Sequence, residues 1–175
     1  MDVGVNPRHD CQSRRDEAMI IRTATGDDAE IIARLGASIQ RMHHEERPDW
    51  FKPADESTAV ELYRELLRDP AVTIYLAEDE TTLGFVVVKV HQRPDSPLGF
   101  AQTILELDQI GVALEARRRG VGHELMNAIR ERADEVAARR IILTTWEFNV
   151  DAHRFFAAEG LDVELRRMSM AWPSF

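Results

Sequence analysis

One stretch limits what this chain can become more than any other, the run from Ala101 to Ala137. It opens as an apolar, strand-like segment to Val112 and passes through Ala113-Leu114-Glu115-Ala116. It then reaches Arg117-Arg118-Arg119-Gly120-Val121-Gly122. From Val121 the apolar residues recur at Val121, Leu125, Ala128, Ile129, Ala133 and Val136, in steps of three and four that trace one face of a helix. A strand that feeds a glycine-bearing turn into a helix leaves the N–H groups of the first helical turn without intrahelical acceptors. Such a turn suits a phosphate or another anion. Gly120 and Gly122 let backbone approach a ligand with no Cβ in the way, and the arginines add positive charge beside it. An ordinary connection with a solvated arginine triplet has the same pattern, so the hexamer needs a second signal.

The hexamer is not a P-loop, because no Gly-Lys-Ser/Thr follows it. It is not a dinucleotide fingerprint either, since the third glycine is missing and no strand with an acidic end follows at the required distance. The second signal lies downstream, in Asn149, Ala152, Phe155, Phe156, Gly160 and Leu161. With Arg117, Gly120 and Gly122, and with Ile110-Gly111-Val112 at the preceding strand end, this pair of motifs resembles the GNAT superfamily of acetyl-CoA-dependent N-acyltransferases. That family carries Gln/Arg-x-x-Gly-x-Gly/Ala and then, one strand later, Asn-x-x-Ala-x-x-Phe-Tyr-x-x-x-Gly-Phe. The resemblance spans Ile20 to Met170 in element order and is strongest in the second half.

Taken in order, residues 1–18 are polar and without period and read as a loose tail, followed by one domain over 19–175. Met19 to Ala24 is a short strand. Thr25 and Asp28 form a capping-box analogue that opens a helix with Ile31, Ile32, Leu35, Ile39 and Met42 on one face. A second helix, Ser57 to Arg68, stops at Asp69-Pro70, where proline forbids continuation. Val72 to Glu78 and Leu83 to His91 pair as a hairpin through Asp79-Glu80-Thr81-Thr82. The turn-rich Arg93 to Gly99 leads into the central strand. After the central helix come a strand over Arg140 to Thr145, a helix over Asn149 to Glu159 ending at Gly160, and a last strand over Leu161 to Met170. That order predicts an α/β fold with a mixed, mostly antiparallel central sheet and helices on both faces, as the resemblance also implies.

Composition narrows the partners. With 22 basic and 31 acidic residues the net charge is −9, which disfavours nucleic acid and suits a cationic small-molecule amine. Cys11 is the only cysteine, so no intramolecular disulfide or cysteine-based zinc site can form, consistent with a reducing, cytoplasmic setting. No apolar run is long enough for a membrane span, and no signal peptide is apparent. His43-His44-Glu45-Glu46 invites a metal reading, but adjacent helical residues point about 100° apart and cannot all face one ion. We expect no metal there and assign the cluster to the lining of the acceptor site, which the first two helices border in the resembled family.

The resemblance implies the chemistry as well. Acetyl-CoA is the expected cosubstrate, held by Ile110, Gly111 and Val112 on the central strand, by Arg117, Arg118, Arg119, Gly120, Val121 and Gly122 at the turn, and by Asn149, Phe155 and Phe156. In the family the central and following strands splay apart and the pantetheine arm pairs with the central strand. The N–H of Val112 would then face the thioester oxygen. Gly111, embedded in a strand, predicts a bulge or a close backbone approach.

For the base, Glu106, Asp108 and Ile110 share one strand face by the two-residue period, and Glu106 occupies the position of the catalytic glutamate of histone-type members. Glu106 and Asp108 are the candidates, on the expectation that desolvation inside a sheet raises a carboxylate's pKa. Glu147 and His153 are weaker ones. Asn149 would also serve as an N-cap, and Phe155 as a core residue. Where many members carry a tyrosine that protonates the leaving thiolate, this chain has Phe156. A homodimer is expected by the same resemblance, with Trp172 and Phe175 as contacts. The alternatives are an acyl-CoA sensor without turnover and an acetyltransferase acting on a protein or peptide amine.

Overall fold

The computed structural model describes residues 19–170, so the readings of the 1–18 tail and of Trp172 and Phe175 lie outside the described residues. The elements follow the order β1 (Ile20–Thr23), α1 (Ala29–Glu46), α2 (Glu56–Leu66), β2 (Val72–Glu78), β3 (Thr82–Arg93), β4 (Gln102–Val112), α3 (Val121–Glu135), β5 (Arg140–Leu143) and α4 (Val150–Ala158). The five strands form one sheet in sequence order, antiparallel from β1 to β4 and parallel between β4 and β5. Only the parallel pair needs a crossover, and α3 supplies it.

Both faces of the sheet are covered. That is why β3 reads Phe85-Val86-Val87-Val88 without alternation, with all four side chains fully buried. Val86, Val88, Leu105 and Leu107 pack with Val121, Leu125, Met126 and Ile129 of α3 and with Phe156 of α4. Phe85, Val87, Ile74 and Leu76 face the other way, onto Ile32 and Ala33 of α1 and Tyr63 of α2. The joint between β1 and α1 is tied by Arg22, which donates to both oxygens of Asp28 (2.7 and 2.8 Å) and of Glu78 (2.7 and 2.8 Å). Asp28 accepts from the Thr25 N–H at 2.7 Å, the half of the capping box that the hydrogen bonds bear out.

Two expectations fail here. No strand forms over 161–170, although Leu161, Val163 and Leu165 alternate as a strand would. Leu161 packs against the core, but Val163 and Leu165 are exposed, and Glu164 pairs with Arg140. An alternating pattern makes a strand only where a ladder partner accepts it, and here none does. The fifth strand also ends early, at Leu143 instead of Thr145.

Candidate active site

The site begins where β4 and β5 part company. β4 pairs with β3 along its whole length but with β5 only from Ile104 to Leu107. The edge of Asp108 to Val112 that faces away from β3 therefore has no strand partner among the described residues. The parting coincides with a bulge, because Val87 pairs with Gln109 and Val88 with Leu107, leaving Asp108 as the extra residue. The bulge is thus at Asp108 and not at Gly111. Gly111 serves close approach: a Cβ there would lie 2.6 Å from the Phe85 ring and 2.9 Å from Ile39.

One inserted residue changes which side chains share a face. Leu105 and Leu107 pack toward α3, and beyond the bulge so do Ile110 and Val112. Ile110 is therefore not on the face of Glu106 and Asp108, as strict alternation required. Its place is taken by Gln109, which reaches Tyr63 on the α2 side. Ile110, Gly111 and Val112 offer the open side their backbone edge.

The polar groups at the bulge form a chain. Lys89 Nζ lies 2.9 Å from Asp108 Oδ1, Gln109 Nε2 donates to Asp108 Oδ2 at 3.3 Å, and the Tyr63 hydroxyl donates to Gln109 Oε1 at 2.6 Å. Burial, with the Asp108 charge adding to it, pushes the Tyr63 phenol above its usual value, so it remains a donor at neutral pH. Glu106 pairs instead with His91 Nε2 at 2.6 Å. The Glu106 and Asp108 side chains keep 30% and 26% of their surface accessible. Neither is the solitary desolvated acid that the sheet position suggested; each is matched to a basic group on β3. Lys89, Gln109 and Tyr63 escaped the sequence reading. Lys89 and His91 could have been noticed as polar residues on alternate positions of an otherwise apolar strand, but Gln109 depends on the bulge and Tyr63 on helix packing.

At the top of β4 the chain turns into α3. Arg118 (φ 61°) and Gly120 (φ 85°) are both left-handed there. A Cβ at Gly120 would meet nothing within 4 Å, so this glycine answers to backbone conformation. Among the described residues, the backbone N–H groups of Arg118 to His123 have no protein acceptor; the helical ladder starts with Glu124 N–H to Gly120. Arg119 is held by Asp79 at 2.9 Å, while Arg117 and Arg118 pair with no carboxylate among the described residues. Val121 buries its side chain in the core and offers only its N–H.

Gly122 has a different reason: a Cβ there would lie 3.0 Å from the Phe155 ring. Phe155 is half-buried against that turn, and Phe156 lies buried in the core with α3. Asn149 caps α4 by accepting from the Ala152 N–H at 3.2 Å. Near the end of α4, burial works against ionisation of Glu159. Hydrogen bonds with Arg130 (2.7 Å) and His123 (3.0 Å) prevail and hold it below its usual value.

An aromatic cluster joins the end of α1 to the segment after β5 and forms a wall there. His43, at the end of α1, stacks on Phe51 (4.8 Å), and Phe51 meets Trp146 edge-on (5.3 Å). Trp146 stacks in turn on Phe148 at 5.8 Å. Arg47 lies over Trp146 and Trp50, at 5.2 and 5.9 Å from the ring centres, while gripping Asp49. Burial lowers the His43 pKa, so its ring is neutral at pH 7. His44 instead turns Nδ1 to the Phe51 carbonyl (2.8 Å), and His153 places Nε2 on the Trp146 carbonyl (2.9 Å). Beside this wall is a depression of about 230 Å³ lined by Met42, Glu46, Phe148, Asn149, Val150 and Asp151. Glu147 is exposed and forms no ion pair among the described residues.

The fold has counterparts among known structures. Residues 39–161 match the model of the acetyltransferase (GNAT) family. A tetramutant of the BH1408 protein from Bacillus halodurans is similar in structure, with a TM-score of 0.83 at 23% identity, over 87% of this chain and 99% of that one. Aminoglycoside N-acetyltransferase AAC(6')-Iy in complex with CoA superposes with a TM-score of 0.73 at 16% identity, over 93% and 100%. A ribosomal-protein-alanine N-acetyltransferase from Brucella melitensis biovar Abortus 2308 gives 0.66 at 19%, over 89% and 100%. No curated protein sequence matches the chain. An open β4 edge beside an arginine-rich helix start, in a sheet of this order, now has its explanation: the chain belongs to the GNAT acetyltransferase family.

Proposed function

We propose that the chain transfers an acetyl group from acetyl-CoA to a primary amine, most suitably one on a small cationic molecule. The observation that carries the reading is the unpartnered edge of Asp108 to Val112 next to the free N–H groups of Arg118 to His123. The turn suits a pyrophosphate: its N–H groups have no protein acceptor among the described residues, Gly120 puts no Cβ in the way, and Arg117 and Arg118 stand by as counter-charges. Acetyl-CoA itself supplies the activated acyl group. The β4 edge would hold the pantetheine arm as an added strand, and the Val112 N–H would stabilise the charge on the carbonyl oxygen. The amine nitrogen bonds to the carbonyl carbon, the C–S bond breaks with its electron pair on sulfur, and the amine proton passes to a carboxylate, Glu106 or Asp108.

The net charge of −9 and the carboxylates Glu46 and Asp151 beside the aromatic wall support a cationic acceptor. A cytoplasmic setting and a homodimer belong to the same proposal. The test is thiol release from acetyl-CoA against a panel of amines. With a good acceptor, Asp108→Asn or Glu106→Gln should lower kcat about 10²-fold, whichever is the base, with KM for acetyl-CoA unchanged. No release with any amine overturns the proposal.

One observation favours a second reading, binding without turnover: Phe156 stands where many family members carry tyrosine, and a ring without a hydroxyl donates no proton to the thiolate. A thiol has a pKa of about 8.5, so the thiolate leaves tolerably unaided and a slow enzyme is expected, not a dead one. Phe156→Tyr should speed thiol release, most visibly below that pKa. A slower rate at unchanged acetyl-CoA affinity would contradict this account of the leaving group.

A further inference from the structure

We propose that Tyr63 is a positioning residue for the transfer step, acting through Gln109 on Asp108; this rests on the function proposed above. Tyr63 sits on α2, and its ring is buried against Phe85 in an otherwise apolar cluster. The fold makes room for its hydroxyl at a specific place. Gly36 of α1 lies directly beside it, and a Cβ at Gly36 would come within 2.6 Å of the oxygen. A phenylalanine would serve the apolar cluster as well, so the cleared space belongs to the hydroxyl. That group spans 46 positions of sequence to reach Gln109, the first residue past the bulge.

The direction of each hydrogen bond follows from chemistry. An ionised carboxylate only accepts, so Gln109 must turn its NH₂ toward Asp108, at 3.3 Å. That turns Gln109 Oε1 toward Tyr63, which can then only donate, at 2.6 Å. Lys89 holds the other Asp108 oxygen at 2.9 Å. Both carboxylate oxygens are thereby fixed by donors from two different strands, with a lone pair left on Oδ2 for an amine proton. Removing the Tyr63 hydroxyl frees the Gln109 amide to rotate. Asp108 then loses one of its two tethers and swings on the Lys89 contact alone. A proton acceptor displaced by a fraction of an ångström costs rate without costing cofactor affinity.

The experiment compares Tyr63→Phe, Gln109→Met and the double variant in the full chain, by thiol release at saturating acetyl-CoA and by melting temperature. Each single variant should lose about tenfold in kcat with KM for acetyl-CoA unchanged. The double variant should be no slower than either single one, because both break the same chain. Full kcat in Tyr63→Phe, or losses that multiply in the double variant, overturns the proposal. Should Tyr63→Phe melt below the assay temperature, Gln109→Met decides alone: full kcat overturns, and a tenfold loss with unchanged KM supports. A parent chain that releases no thiol with any amine overturns the proposed function and this role with it. Silent variants of an active parent overturn only the role of Tyr63.

Discussion

Gly111 and Gly120 are both glycine for reasons that substitution separates. At Gly111 a methyl group would press on the Phe85 ring at 2.6 Å and on Ile39 at 2.9 Å, in a core covered on both sides. Gly111→Ala should therefore cost about 1–3 kcal/mol of stability by overpacking, read from urea unfolding. At Gly120 nothing lies within 4 Å, and the cost of alanine is the left-handed backbone, about 1–2 kcal/mol. The two variants should diverge on acetyl-CoA binding. Gly120→Ala places a methyl at the helix start where the pyrophosphate would lie and weakens binding more than Gly111→Ala does at a temperature where that variant is folded. Equal affinity in both would mean that the turn does not carry the phosphates. Gly122 belongs with Gly111, since its missing Cβ makes room for Phe155.

The joint of β1, α1 and β2 has its own pH dependence. Hydrogen bonding from Arg22 holds Asp28 down at about 2, against an ordinary 3.8, and holds Glu78 down as well. Because these pKa values are depressed on folding, the stability they contribute is complete only above the ordinary values of 3.8 and 4.5 and fades as pH falls toward 2. Arg22 is over a third exposed, which screens the pair and leaves the contribution at about 1 kcal/mol. Arg22→Ala should flatten the acid limb of a melting-temperature profile between pH 4 and 2 while costing stability at pH 7. An acid limb with unchanged slope would place the acid sensitivity elsewhere.

The same elements show what could be read from the sequence. β2, β3, α1 and α3 were legible because burial writes its period directly into the residues, as in Val121, Leu125, Ile129 and Ala133. The bulge at Asp108 was not, since an extra residue in a strand leaves no mark on composition. With it went the face of Ile110 and the contact of Gln109. Leu161 to Leu165 misled in the other direction, having the period of a strand and no neighbouring strand to pair with.

For the molecule as a whole, binding of acetyl-CoA should register as stability. A ligand that binds only the folded chain adds about 2.7 kcal/mol at a hundredfold excess over Kd, so the melting temperature should rise by several degrees. No rise at millimolar acetyl-CoA in a folded sample would contradict the cofactor assignment.

The bulge has a consequence for how this strand tolerates change in length. β4 is written in two reading frames, one up to Leu107 and another from Gln109 onward, and Asp108 is the character that shifts between them. Deleting Asp108 would set Leu107 beside Gln109 on opposite faces and restore a regular ladder with every β3 partner kept, whereas a deletion elsewhere in β4 would make every side chain on one side of the cut exchange core for cleft. Removing a residue from the exposed Asp95 to Gly99 loop disturbs no frame at all. Variation in length should therefore collect in that loop, and β4 itself should admit no deletion except at Asp108, where the loss is of the carboxylate and not of the register.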